Sequence, residues 1–157
     1  MSIVLELPYP PSANLYWRTR VIRSRKGAFV STYISADAKK FKATVCTRCR
    51  QAGVRKPMIG RIQIDYWLYP GRPQDWVRRT KNSPDYWDTD VRCLDLDNVP
   101  KILLDSLKNV AFEDDKFVFA LSGERMEPDA RGARLVVEIS PYRRDKTSDI
   151  FEEPSND

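Results

Sequence analysis

Apolar and polar residues alternate along several stretches and recur at helical spacing along others, and the two periods divide the chain. Ile3, Leu5 and Leu7 leave one face of a first strand, which Pro8, Pro10 and Pro11 stop; Ser12-Ala13-Asn14 carries turn chemistry. Tyr16-Trp17 add apolar weight, read as core, with a stacking surface for exposed bases as the alternative. Arg18 to Lys26, with Val21-Ile22 inside and Gly27 closing, precedes the β-prone run Ala28 to Ile34; together they predict a hairpin with a cationic tip. Ser35 is a good helix cap, and Ala38, Phe41, Val45 and Cys49 mark one face of a helix from Ala36 to about Ala52, ended by Gly53. Ile62, Ile64, Tyr66 and Leu68 alternate with Arg61, Gln63, Asp65 and Trp67 in a clear strand. Pro70 to Val91 follows as a long irregular loop with Trp76, Tyr86 and Trp87 and mixed charge. Val99, Ile102, Leu103 and Leu107 return to helical spacing, with Pro100 suited to the first turn and an end around Asn109. Lys116 to Leu121 and Ala133 to Ile139 read as two last strands, joined like a hairpin by Pro128 to Gly132. No internal repeat is visible. The pattern predicts an α+β domain: a mixed β-sheet of about four to five strands with two main helices, over residues 1–140. Residues 70–91 form an inserted loop, and residues 141–157 a polar, acidic tail expected to be mobile, with Ile150-Phe151 as its one apolar pair.

Length and charge narrow the class. A chain of 157 residues suits one domain with a real core. No stretch reaches the apolar length of a membrane span and the N-terminus lacks a signal-peptide pattern, so a cytoplasmic protein away from membranes is expected. Three cysteines make no disulfide framework; Cys46 and Cys49 have a spacing compatible with zinc, but with no histidine and one other thiol, Cys93, burial inside the helix is the better reading. The basic residues are unevenly spread. Residues 18–56 hold twelve Lys and Arg against a single acid, Asp37. Such a field holds a phosphate backbone by counterion release. Arg18, Arg20, Arg23, Arg25 and Lys26 in the hairpin are the candidate DNA contacts, with Arg92 beside the acidic centre.

That centre is Asp95-Leu96-Asp97-Asn98-Val99-Pro100-Lys101, with a second acidic turn at Glu113-Asp114-Asp115. On an extended segment Asp95 and Asp97 project from one face, and Asp97 or Asn98 can cap the helix that follows. Like charges this close repel and raise each other's pKa unless a cation neutralises them. Hard oxygen ligands without His or Cys suit Mg²⁺, with Mn²⁺ possible, and such an ion beside a lysine can cleave a phosphodiester. The bland alternative is a solvated acidic loop. Leu94 and Leu96 between the acids, Lys101 and the second acidic turn weigh against it.

Asp95-Leu96-Asp97-Asn98, Lys101 three residues on, a helix containing Asp105 and Leu107, then Asp114-Asp115 before a strand resemble the RusA family of crossover-junction (Holliday junction) endodeoxyribonucleases. The segment Leu7-Pro8-Tyr9-Pro10-Pro11-Ser12-Ala13-Asn14 is similar to that family's opening strand and turn, and the likeness runs from about Ile3 to Ile139. The resemblance implies a RusA-like fold and a homodimer acting on a four-way junction in recombination or repair. It implies catalysis by Asp95, Asp97, Asp115 and Lys101, with Mg²⁺ held by the three aspartates and Asn98 and Asp114 in support. It departs from the family at residues 70–91, where a short basic turn before the first catalytic aspartate is usual and only Arg92 stands close.

Other classes compete. A non-catalytic DNA-binding module on the same fold would bind junctions without cutting, and a flap nuclease or an RNase would share the metal chemistry. A Ca²⁺-binding structural domain has little support, because the ligand spacing and glycine of an EF-hand loop are missing.

Overall fold

In the computed structural model, residues 1–144 are described. The order is β1 (Ile3–Pro8), β2 (Trp17–Ser24), β3 (Gly27–Ile34), α1 (Ala36–Gln51), β4 (Ile62–Tyr69), α2 (Trp76–Asn82), α3 (Val99–Leu107), β5 (Val118–Arg125) and β6 (Arg134–Pro141), with 3-10 turns at Ala13–Leu15, Leu96–Asn98 and Asp115–Phe117. β1, β6, β4 and β5 form one sheet in that order, and β2 and β3 a separate ribbon. The α+β architecture is as the periodicity predicts.

β4 is central because its alternation is the cleanest in the chain. Ile62, Ile64, Tyr66 and Leu68 are buried on one face, with half-buried residues between them. Leu5, Leu7, Leu135, Val137 and Ile139 add to that face, and Phe41, Val45 and Cys49 of α1 and Val99, Ile102, Leu103 and Leu107 of α3 complete one continuous core. Burying an aliphatic side chain of this size contributes about 1.5–3 kcal/mol. Ser35 caps α1, accepting a hydrogen bond from the Ala38 N–H at 3.2 Å.

β4 pairs antiparallel with β6 and parallel with β5. A parallel pair needs a long crossover. Here it is the whole of residues 70–117, so both acidic turns lie within one connection between neighbouring strands.

Four local expectations are corrected. Residues 70–91 are not structureless: they contain α2, a run of turns and a buried Trp87. Asp75, just before α2, takes Arg78 at 2.9 Å and Arg79 at 2.8 Å, and Arg72 stacks over Trp76 at 4.2 Å. Pro128 to Gly132 does not close a hairpin, because β4 stands between β5 and β6 in the sheet; the chain passes over the end of β4 instead. Asp95 and Asp97 are not on a strand: Asp95 is extended, with ψ 139°, but Asp97 lies inside the 3-10 turn, so strand alternation does not set the pair's direction. Tyr16 is core as expected, whereas Trp17 is 46% exposed, edge-on to it. The tail from residue 145 onward, Ile150-Phe151 included, lies outside the described residues.

Candidate active site

The acidic centre begins as a segment with no strand partner, so its backbone groups need other hydrogen-bond partners. Side chains from the sheet, and Tyr9 just past the end of β1, supply them. Arg125 of β5 donates to the carbonyls of Asp88 and Val91, both at 2.9 Å. The Leu94 N–H donates to the Tyr9 oxygen at 2.7 Å, and Tyr9 in turn donates to Cys93 Sγ at 3.6 Å. Tyr66 of β4 donates to the Leu96 carbonyl at 2.8 Å. The 3-10 turn Leu96–Asn98 then runs straight into α3. Asn98 stands at the N-cap of α3, yet makes no side-chain capping bond, and neither does Asp95 at the start of the 3-10 turn.

Asp95, Asp97 and Lys101 are exposed, and none of the three has a side-chain hydrogen bond or ion pair among the described residues. The positive end of α3 partly offsets repulsion between the two acids. The apolar side of α3 is buried, which leaves Asn98, Lys101, Asp105 and Lys108 as a polar stripe along its other side. This stripe connects the two acidic turns. Asp105 pairs with Lys42 of α1 at 2.9 Å, and Lys108 with Asp114 at 3.0 Å. Asp114 also caps the 3-10 turn at Asp115, accepting from the Lys116 N–H. Its carboxyl is held below the usual range by that bond and by Lys108. Burial raises the Asp105 carboxyl, and the charge of Asp115 raises it further. The second turn therefore faces the middle and end of α3.

That placement bears on the expected metal ligands. Among the described residues no three His, Cys, Asp or Glu side chains form a group set to hold an ion. Asp115 is in electrostatic reach of Asp105, whereas Asp95 and Asp97 precede α3. Val99 to Asp105 spans about 9 Å of helix axis at the usual rise. The donor chemistry still suits Mg²⁺: three exposed carboxylates, no histidine in the chain, and nothing else claiming Asp95, Asp97 or Asp115 among the described residues. Cys49 is fully buried, its thiol pushed up to about 11 chiefly by burial, and Cys46 is half-buried.

The basic ribbon has the predicted form. β2 and β3 pair from Trp17↔Ile34 to Ser24↔Gly27, leaving Arg25-Lys26 as the two-residue turn. Neither turn residue has a positive φ; Gly27, the first residue of β3 and paired with Ser24, takes it instead at φ 131°. Register sorts the two faces: Arg18, Arg20, Phe29 and Tyr33 share one, with Arg20 at 5.4 Å from the Tyr33 ring, and Val21, Arg23 and Val30 share the other. Arg18, Arg20, Arg23, Arg25 and Lys26 are all exposed and free of ion pairs among the described residues, as is Arg92. The turn Ala13–Leu15 packs against α3, so the ribbon's root lies beside the helix that carries Lys101.

The sequence assigned no part in the site to Tyr9, Tyr66, Arg125, Lys42 or Asp105. A tyrosine in an otherwise aliphatic strand row was the legible hint, since a buried hydroxyl needs a partner. The others follow only from tertiary contacts.

A mixed sheet whose parallel crossover presents unpaired carboxylates and a lysine, beside a cationic ribbon, has the charges that handling nucleic acid requires. The family model for Endodeoxyribonuclease RusA matches residues 8–140. A curated relative, the crossover junction endodeoxyribonuclease rusA of Enterobacteria phage HK97, is 31% identical over 109 residues, covering 69% of this chain and 69% of the relative. The chain belongs to the RusA family of endodeoxyribonucleases.

Proposed function

We propose that this endodeoxyribonuclease resolves four-way DNA junctions, as a homodimer that sets two sites on two strands. The single observation carrying this reading is the family match across residues 8–140, which includes the whole acidic centre. The two-fold symmetry of a dimer suits a roughly two-fold substrate. Asp95, Asp97 and Asp115 would hold Mg²⁺ or Mn²⁺, which when bound supplies Lewis-acid stabilisation of the phosphate and a water of lowered pKa. Lys101, exposed and without an ion pair among the described residues, stabilises charge on the phosphate or protonates the leaving oxygen. Asn98 and Asp114 support these groups; the salt bridge of Asp114 to Lys108 makes its part indirect. Arg18, Arg20, Arg23, Arg25, Lys26 and Arg92 hold backbone phosphates, which positions the substrate without reading its sequence.

The dispersal of the acidic side chains favours a second reading, a junction-binding protein on the same fold that does not cut. A panel of four-way junction, flap, duplex and RNA hairpin, each with Mg²⁺ and with EDTA, separates the two. Paired incisions in the junction, dependent on Mg²⁺, are expected. Tight junction binding with no incision at any Mg²⁺ or Mn²⁺ concentration would establish the second reading, and preferential cutting of flap or RNA would reassign the substrate.

A further inference from the structure

We propose that Tyr66, seated over Gly123, is a positioning residue that holds the backbone between Asp95 and Asp97 in place; its consequence for catalysis rests on the nuclease reading above. Tyr66 occupies a row of β4 whose other members, Ile62, Ile64 and Leu68, are aliphatic. A hydroxyl in that row is costly unless bonded. Its bond goes to the carbonyl of Leu96, thirty residues on, at 2.8 Å. Leu96 is the residue between the two aspartates, so fixing its peptide restricts where both carboxylates can point. Burial, and to a smaller extent the nearby charge of Asp97, raise the Tyr66 pKa.

Gly123 explains how the ring gets there. It faces Tyr66 across the parallel β4–β5 pairing. A Cβ at Gly123 would fall 2.2 Å from the Tyr66 Cζ and 2.3 Å from its hydroxyl oxygen. The backbone of Gly123 is not in the left-handed region, so its conformation is open to any residue. The glycine is required by the ring lying across it, in the manner of strand glycines where another group approaches closely. Tyr9, the residue after β1, accepts from the Leu94 N–H at 2.7 Å, so the backbone on each side of the first aspartate is bonded to a phenol.

The test compares Tyr66→Phe, Gly123→Ala and the double variant in the full chain. Three quantities are read: amide hydrogen exchange at residues 94–98 against β4 and β6, junction affinity in EDTA, and cleavage rate with Mg²⁺. Tyr66→Phe removes one oxygen and leaves packing intact. It should speed exchange at residues 94–98 about tenfold while β4 and β6 stay protected, leave junction affinity within about twofold, and slow cleavage about ten- to a hundredfold. Gly123→Ala should reproduce these changes by displacing the ring, and adding it to Tyr66→Phe should slow cleavage no further. Wild-type exchange at residues 94–98 in Tyr66→Phe overturns the proposal, and so does an unchanged cleavage rate. If Gly123→Ala does not fold, Tyr66→Phe still decides. If the wild-type protein cuts no junction, the nuclease reading fails while the exchange data still judge the tether.

Discussion

The acidic turn and the basic ribbon are anchored in opposite ways. Residues 91–98 have no strand partner, yet side chains from β5, β4 and the end of β1 pin their backbone at Val91, Leu94 and Leu96. The ribbon is the reverse: its two strands pair only with each other, Trp17–Ser24 against Gly27–Ile34, and nearly all of its side chains stand in solvent. Val21 is 62% and Val30 68% exposed, whereas Ile102 and Leu103, behind the acidic turn, are fully buried. Bond-breaking chemistry loses about a hundredfold for a misplacement of about 1 Å. Counterion release depends on how many charges reach the phosphates and tolerates movement. One region is therefore tied to the rigid core, and the other projects from it.

The largest expected effect breaks the chemical half of this contrast. Asp97→Asn should cut junction cleavage by about three orders of magnitude while junction affinity in EDTA stays near wild type. Cleavage at the wild-type rate would remove Asp97 from the chemistry. Stability should divide the regions next. Ile102→Ala should lose about 2–5 kcal/mol in urea unfolding, whereas Val21→Thr in the ribbon should stay within about 0.5 kcal/mol. Comparable losses would mean that the ribbon is covered in solution. A triple Arg20→Gln, Arg23→Gln, Arg25→Gln protein should bind junctions more weakly and lower the slope of log affinity against log salt by about 2–3, with the cleavage rate at saturating junction little changed. An unchanged slope would take the ribbon off the DNA.

The smallest effect concerns a charge pair away from both regions. Arg134, buried at 6% exposure and stacked 3.8 Å over the Tyr69 ring, donates through its two terminal guanidinium nitrogens to the Asp129 carboxylate, each at 2.7 Å. That contact holds the Asp129 carboxyl at about 2, below its ordinary 3.8. A depressed carboxyl stabilises the fold above its unfolded pKa and ceases to do so as pH falls through its folded one. The melting-temperature difference between wild type and Asp129→Asn should be full above pH 4 and close as pH drops toward about 2. A difference independent of pH would mean that the pair contributes packing alone.

The limits of sequence reading show in particular residues. Ile62, Ile64 and Leu68 announced their strand because burial on one face imposes a period of two, and Ala38, Phe41, Val45 and Cys49 announced their helix for the same reason at 3.6. Trp76 to Asn82 did not announce a helix, since none of its residues is buried and no apolar stripe was needed. The hairpin expected at Pro128 to Gly132 failed because both flanking strands alternate well, and alternation does not say which strand is the neighbour. Of the candidate site, Asp95, Asp97, Lys101 and Asp115 were picked out by charge and spacing. The nearness of Asp115 to Asp105, and the Lys42–Asp105 and Lys108–Asp114 pairs around it, were not.

By itself, the sequence determined the local quantities: which segments with a buried face are strands and helices, where charge of each sign accumulates, and which family the acidic and proline-rich motifs resemble. These are legible because each depends on residues within about a turn or two of one another. Tertiary structure alone decided that β5 lies parallel to β4, that the acidic segment sits in their crossover, and that Tyr9 and Tyr66 reach it across 85 and 30 residues. The reason is physical: a periodic pattern specifies which face of an element is buried, and the partner is chosen only when all the buried faces are packed together.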